Sequence, residues 1–294
     1  MAVTPQNYAD PVVTITTSLG NISVELFPSK APITVDNFLT YAYGGFYNNT
    51  IFHRVVYGFV DQGGGYTTQL QLKATLPPIT LESQNGLSNL RGTIAMARTT
   101  DPNSATSQFY FNTVDNPFLD YVNASSPGYA VFGDVIQGLD VMDQISLVPV
   151  TSYSLPLTSV VILSVTTTMF YPGSRADYTI SMSAGQLSVT AKAAPLGGGN
   201  AQALGKIEVL QFADATVTMA AETVSSTITR FQAGTLPSPT DIFDSSTNVL
   251  NNLNTLQTLA ATGKLISICL TDSGAPTLSL TSSKMILSSA SCRK

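Results

Sequence analysis

Apolar and polar positions alternate from Val12 to Thr17 and again from Asn21 to Leu26, with Ser18-Leu19-Gly20 between them, a pattern that predicts a β-hairpin. The period then changes. From Pro32 to Tyr43 the residues Val35, Phe38, Leu39 and Ala42 fall at i, i+3, i+4 and i+7. Pro32 sits in the first turn and Gly44-Gly45 at the stop, so this stretch predicts an amphipathic helix. Alternation resumes from Ile51 to Val56, where a regular strand would put Phe52 and Arg54 on one face and His53 on the other. Residues Phe59 to Gln62 predict a second short strand that brings Phe59 and Gln62 towards the face of Arg54. A polar loop from Thr67 to Asn85 comes next. Further strands are predicted near Gly92 to Arg98, Gln108 to Thr113 and Ala130 to Val135, then a short helix over Asp140 to Ile145 and a β-branched strand over Ser159 to Thr167. Many short strands with two helices suggest a closed antiparallel barrel, which leaves no exposed sheet edge.

Beyond Thr168 the pattern restarts. Tyr171-Pro172-Gly173 marks a turn, so we divide the chain into a first domain, residues 1–168, and a smaller α+β accessory module, residues 169–294. In the module, Tyr178 to Ser183 and Leu187 to Ala191 predict a hairpin, Pro195 to Asn200 a loop, and Ile207 to Phe212 with Thr216 to Met219 a second strand pair. Asn248 to Thr262 reads as one helix, with Val249, Leu250, Leu253, Leu256, Leu259 and Ala260 along one side and Gly263 at its end. Strands at Leu265 to Leu270 and Thr277 to Thr281 would close the chain.

Composition narrows the function classes. At 294 residues the chain has room for two domains of ordinary size. Charged residues make up 11%, against roughly 25% in ordinary soluble domains, and Ser, Thr, Asn and Gln carry the surface instead. That balance points to an extracellular or cell-surface setting. The first residues show no cationic segment followed by an apolar run, so the route would not use an N-terminal signal peptide; a cytoplasmic setting is the alternative. A net charge of −5 without a basic patch argues against a nucleic-acid partner. No apolar run approaches the roughly 20 residues of a membrane-spanning helix. The two cysteines, Cys269 and Cys292, are too few for a zinc site or a disulfide framework and leave room for one optional bridge.

The candidate chemistry centres on Ile51 to Gly65, I-F-H-R-V-V-Y-G-F-V-D-Q-G-G-G. Here one permanent cation, Arg54, lies among aromatic and β-branched residues. A lone arginine on an apolar face is either held by a buried carboxylate or put to use. His53, the only histidine, reads as a packed structural residue. Asp61, Asp101 and Asp120 read as solvated loop or turn carboxylates.

Two further blocks favour use of the arginine. Met96-Ala97-Arg98 precedes Ser107-Gln108-Phe109-Tyr110, and Asn116-Pro117-Phe118-Leu119 precedes Tyr129-Ala130-Val131-Phe132-Gly133. In order and spacing, these blocks and F-H-R with Phe59 and Gln62 resemble the cyclophilin family of peptidyl-prolyl cis-trans isomerases, its bacterial branch most closely, over residues 10 to 168. The resemblance implies an eight-stranded barrel with a helix capping each end, acting on proline-containing polypeptides without a metal or cofactor. It implies Arg54 as the catalytic group, with His53 in support. Phe59, Val60, Tyr110 and Leu119 would form a socket for the proline ring, with Phe118 and Tyr129 at its margin. The segment before the proline would lie along Gln62, Gln108, Ala97 and the backbone of Arg98.

Three positions depart from the family's commonest pattern. Val60 replaces a longer Met or Ile, Tyr110 replaces Phe, and Phe118 stands where the large eukaryotic enzymes carry Trp, a change expected to weaken cyclosporin binding. The module resembles repeat segments of bacterial secreted and adhesin proteins, which implies self-assembly or a surface partner. The competing function is therefore an extracellular structural, filament or adhesion protein that uses the barrel as a platform.

Overall fold

The computed structural model describes residues 3–183, 186–193, 208–218, 224–232, 240–244, 246–262 and 265–270. The chain forms two compact units, Met1–Thr168 and Met169–Lys294.

The first unit is a closed antiparallel barrel. Its strands are β1 (Val12–Thr17), β2 (Gly20–Leu26), β3 (Thr50–Val56), β4 (Val60–Thr67), β5 (Thr93–Met96), β6 (Phe109–Asn112), β7 (Val131–Gln137) and β8 (Val161–Phe170). They run in the order β1-β2-β7-β5-β6-β4-β3-β8, and β1 pairs with β8 to close the ring. Inward residues such as Ile15, Val24, Phe52, Ile94, Phe109, Phe111 and Phe132 share one apolar core. Around Phe109 the aromatic rings pack edge-on: it lies at 76° to Phe38 and 86° to Tyr47, both with centroids 5.5 Å apart. Helix α1 (Pro32–Tyr43) and helix α2 (Leu139–Ser146) bury Val35, Phe38, Leu39 and Val141, Met142, Ile145 in the same core. The first turn of α1 lacks a capping side chain of its own. Glu82 supplies one from the β4–β5 loop, accepting from the Ile33 and Thr34 amides at 3.1 and 2.7 Å, and so pins that loop to the barrel.

The site strand is not regular, and this corrects the expected placing of Phe52 and Arg54 on one face. In the β3–β4 ladder Phe52 pairs with Gly63 but Arg54 with Gln62, so His53 is an extra residue. Two residues, His53 and Arg54, then separate the core side chains Phe52 and Val55. Such a bulge turns Phe52 into the barrel while Arg54 stays on the outer surface. On the facing strand, Gly64 has φ +81°, and a Cβ there would lie 2.7 Å from the Phe109 ring; one on Gly65 would lie 2.6 Å from the Gln108 side chain. The glycines therefore admit the core ring from one side and the Gln108 amide from the other. Phe59 precedes β4, in the turn, and does not belong to the strand.

In the second unit a hairpin, β9 (Tyr178–Ser183) with β10 (Gln186–Ala191), and an antiparallel pair, β11 (Val209–Gln211) with β12 (Thr216–Thr218), contribute to a core of Tyr171, Tyr178, Ile180, Val189, Leu210, Phe212 and Val217. Two elements were not expected: helix α3 (Val224–Gln232), and strand β13 (Thr240–Asp244), which pairs in parallel with β14 (Leu265–Leu270). The single helix expected over Asn248 to Thr262 is instead two, α4 (Ser246–Asn251) and α5 (Leu253–Ala261), because Asn252 leaves helical geometry at φ −118°. The expected loop at 195–200, the strand at 277–281 and Cys292 lie outside the described residues.

Candidate active site

Strand β6 has two faces with different tasks. Phe109 and Phe111 enter the barrel core, and Tyr110 between them points outward into a second, smaller cluster. There it meets Val60 of β4, Ala95 of β5 and Val131 of β7, with Phe59, Leu87, Ala97, Leu119 and Tyr129 packed around them. Six of the ten expected substrate-contacting residues thus share this cluster: Phe59, Val60, Ala97, Tyr110, Leu119 and Tyr129. The alternation along β5, β6 and β7 was the signal that could have added Ala95 and Val131.

The remaining expected residues border it. The Gln62 amide donates to the Gln108 side-chain oxygen at 2.9 Å, and the Ala97 amide donates to the Gln108 carbonyl at 2.9 Å, so these residues form one polar rail. Phe118 is 69% exposed and stacks on Phe59 with centroids 5.7 Å apart. Both guanidiniums lie over rings, but they differ in their partners. Arg98 sits 4.4 Å over Tyr129 and donates to the carbonyls of Gly128 and Thr99. Arg54 lies 5.7 Å from the Phe59 centroid, and among the described residues it has neither an ion-pair nor a hydrogen-bond partner. The buried-carboxylate reading of this arginine is therefore excluded within those residues.

Sequence reasoning missed a polar network behind the apolar cluster. Asn89, Asn112 and Asn116 are all buried. Tyr110 donates its hydroxyl to Asn89 Oδ1 at 2.8 Å, and Asn116 Nδ2 donates to Asn112 Oδ1 at 2.9 Å and to the Phe59 carbonyl at 3.0 Å. A buried asparagine and a loop asparagine look alike in a sequence.

A family description matches the same region: Cyclophilin type peptidyl-prolyl cis-trans isomerase/CLD, over residues 12–167. The chain belongs to this family. A peptidyl-prolyl cis-trans isomerase of Acinetobacter baylyi is 52% identical over 147 residues, which is 50% of this chain and 78% of the relative. Peptidyl-prolyl cis-trans isomerase B of Escherichia coli is 54% identical over 136 residues, 46% of this chain and 83% of that one. A crystal structure of a cyclophilin type isomerase from Cryptosporidium parvum aligns with a TM-score of 0.46 at 28% identity, covering 53% of this chain and 96% of its own.

Two titratable groups with displaced pKa values lie on β3 and β4 of this cyclophilin domain. Burial pushes the His53 imidazole down to about 4; nearby Ile51 and Gln108 oppose that shift and the Arg54 charge adds to it. Its ring packs on Tyr66 at 4.5 Å. Asp61 corrects the expectation of a solvated carboxylate, for it is fully buried on β4. Both its oxygens and the Ser146 hydroxyl lack a hydrogen-bond partner of ordinary length. Burial raises the Asp61 carboxyl to about 8, against an opposing pull from Ser146 and with a push from Asp143. Its environment therefore favours the neutral acid at pH 7.

Proposed function

We propose that Arg54 of this isomerase lowers the barrier to Xaa-Pro rotation by binding the twisted amide. Resonance opposes that rotation by about 18–20 kcal/mol, and no bond is broken in it. A catalyst need only favour the twisted form over both planar forms. As the amide twists, the proline nitrogen recovers a lone pair, and a guanidinium donor aimed at it gains a hydrogen bond absent from the ground state. The guanidinium keeps its charge throughout, so this step uses no proton transfer.

The apolar cluster of Phe59, Val60, Tyr110 and Leu119 suits a pyrrolidine ring. The Gln62–Gln108 rail and the Ala97 backbone suit the segment before it. Anchoring one side of the bond while the other turns supplies the orientation that rotation needs. The observation that carries this reading is the Arg54 guanidinium at the edge of an apolar cluster, unpaired among the described residues.

Replacing Arg54 by alanine is expected to lower kcat/KM on a proline tetrapeptide by about 100-fold or more, the usual cost of one fixed transition-state donor. An Arg54→Ala protein of full activity would remove the mechanism. Residues 169–294 are read as an accessory contact module of an extracellular or surface protein. Assembly of the chain into large species on size exclusion, lost when residues 169–294 are deleted, tests that reading.

A further inference from the structure

We infer that Asn89 is a positioning residue for the proline socket, and that it works by holding the Tyr110 hydroxyl out of it. The inference rests on reading the outer cluster as that socket. Tyr110 is 4% exposed and its ring is packed among Val60, Ala95 and Val131, so its O–H must find an acceptor behind the socket or present itself to an apolar ligand. A buried hydroxyl left without a partner is destabilising, because it has given up its hydrogen bonds to water and gained none in return. Asn89 Oδ1 takes it at 2.8 Å.

What makes Asn89 an acceptor there is Asp120. The Asn89 backbone amide and its Nδ2 both donate to Asp120 Oδ1, at 2.6 and 2.9 Å. A carboxylate only accepts, so the NH2 end of the Asn89 amide must face Asp120 and the oxygen end must face Tyr110. Asn112 Nδ2 donates to that same oxygen at 3.2 Å, which agrees with this orientation. The Asn116 amide donates to the Asn89 carbonyl at 2.8 Å, and the Leu119 amide donates to the Asn116 carbonyl at 2.9 Å. One buried asparagine therefore fixes the hydroxyl of the socket floor and ties it to the turn that carries Leu119. With Asn89 behind it, the chain can carry a tyrosine where an apolar ring would serve.

The test is a two-by-two comparison of steady-state kinetics on a proline tetrapeptide. With Tyr110 in place, Asn89→Ala is expected to raise KM at least fivefold and to change kcat less than twofold. In a Tyr110→Phe background the same Asn89→Ala change is expected to raise KM less than twofold, because no hydroxyl is left to strand. An unchanged KM for Asn89→Ala, or an equal rise in both backgrounds, overturns the inference. Should Asn89→Ala fail to fold, Asp120→Ala is used in the same two backgrounds, with a two- to threefold rise in KM expected only beside Tyr110. An equal effect in both backgrounds again overturns it. Arg54→Ala acts on kcat and this pair on KM, so failure of the mechanism and failure of the positioning role can be told apart.

Discussion

The wall built from β4, β6, β5 and β7 carries two apolar clusters, one on each face, made from alternate residues of the same strands. Inside, Phe109 meets Phe38, Phe52, Tyr47 and Phe111 edge-on while Phe111 stacks on Phe52, and every one of these rings is excluded from water. Outside, Tyr110, Val60 and Val131 are buried, but Phe59, Ala97, Leu119 and Tyr129 are only partly covered. The inner set satisfies itself. The outer set is left incomplete, backed by asparagines and edged by a guanidinium whose donors no described residue takes up. One face of each strand thus serves stability, and the other keeps a partly covered apolar surface suited to a ligand.

The sharpest way to break this division is to truncate one ring on each face. Phe109→Ala on the inner face is expected to cost about 3–5 kcal/mol of stability by urea unfolding, since it empties a cavity in a close-packed core. If it cost less than truncation of an outer-face residue, the inner cluster would not be the stabilising one.

Asp61 tests the same wall at its sheet-to-helix side. Its folded value of about 8 lies above the ordinary 3.8, so between these limits the folded protein keeps a proton that the unfolded chain releases. Its contribution to stability is then fully present below about pH 4 and is lost as pH climbs through about 8. Wild-type stability should fall between pH 6 and 9, by on the order of 3 kcal/mol for the buried charge, and Asp61→Asn should abolish that fall. Parallel pH profiles for the two proteins would show that the carboxyl ionises without penalty.

On the outer face, Leu119→Ala is expected to raise KM for a proline peptide about tenfold while changing stability by less than about 1 kcal/mol. The smallest effect concerns proton supply. His53 is neutral above about pH 4 and Arg54 carries a permanent charge, so kcat/KM should vary less than about twofold from about pH 5.5 to 7. A bell-shaped profile in that window would mean that a titrating group takes part.

Much of this was legible in the chain itself. The period change at Pro32, the alternation of β1 and β2, and the ordered blocks around Arg54, Gln108 and Leu119 predict the barrel, its helix and the residues that meet outside it. The bulge at His53 was not legible, because one added residue in a strand reverses the faces of all later positions without altering composition. Asp61 escaped for a related reason: on a strand whose neighbours are Val60 and Gln62, nothing in the pattern says that α2 will cover it. Asn89 and Asn252 show the limit most clearly. One asparagine is a buried hinge of a hydrogen-bond network and the other breaks a helix, and both look like polar surface residues in sequence.

The central claim is that the Arg54 donor acts on the rotating amide and is not merely part of the binding surface. Exchange NMR on a proline tetrapeptide bound to Arg54→Gln measures both quantities at once. The expected result is a cis-trans exchange rate on the protein reduced by about 100-fold with a Kd within about threefold of wild type. A wild-type exchange rate, or a loss of rate that matches a loss of affinity, would contradict it.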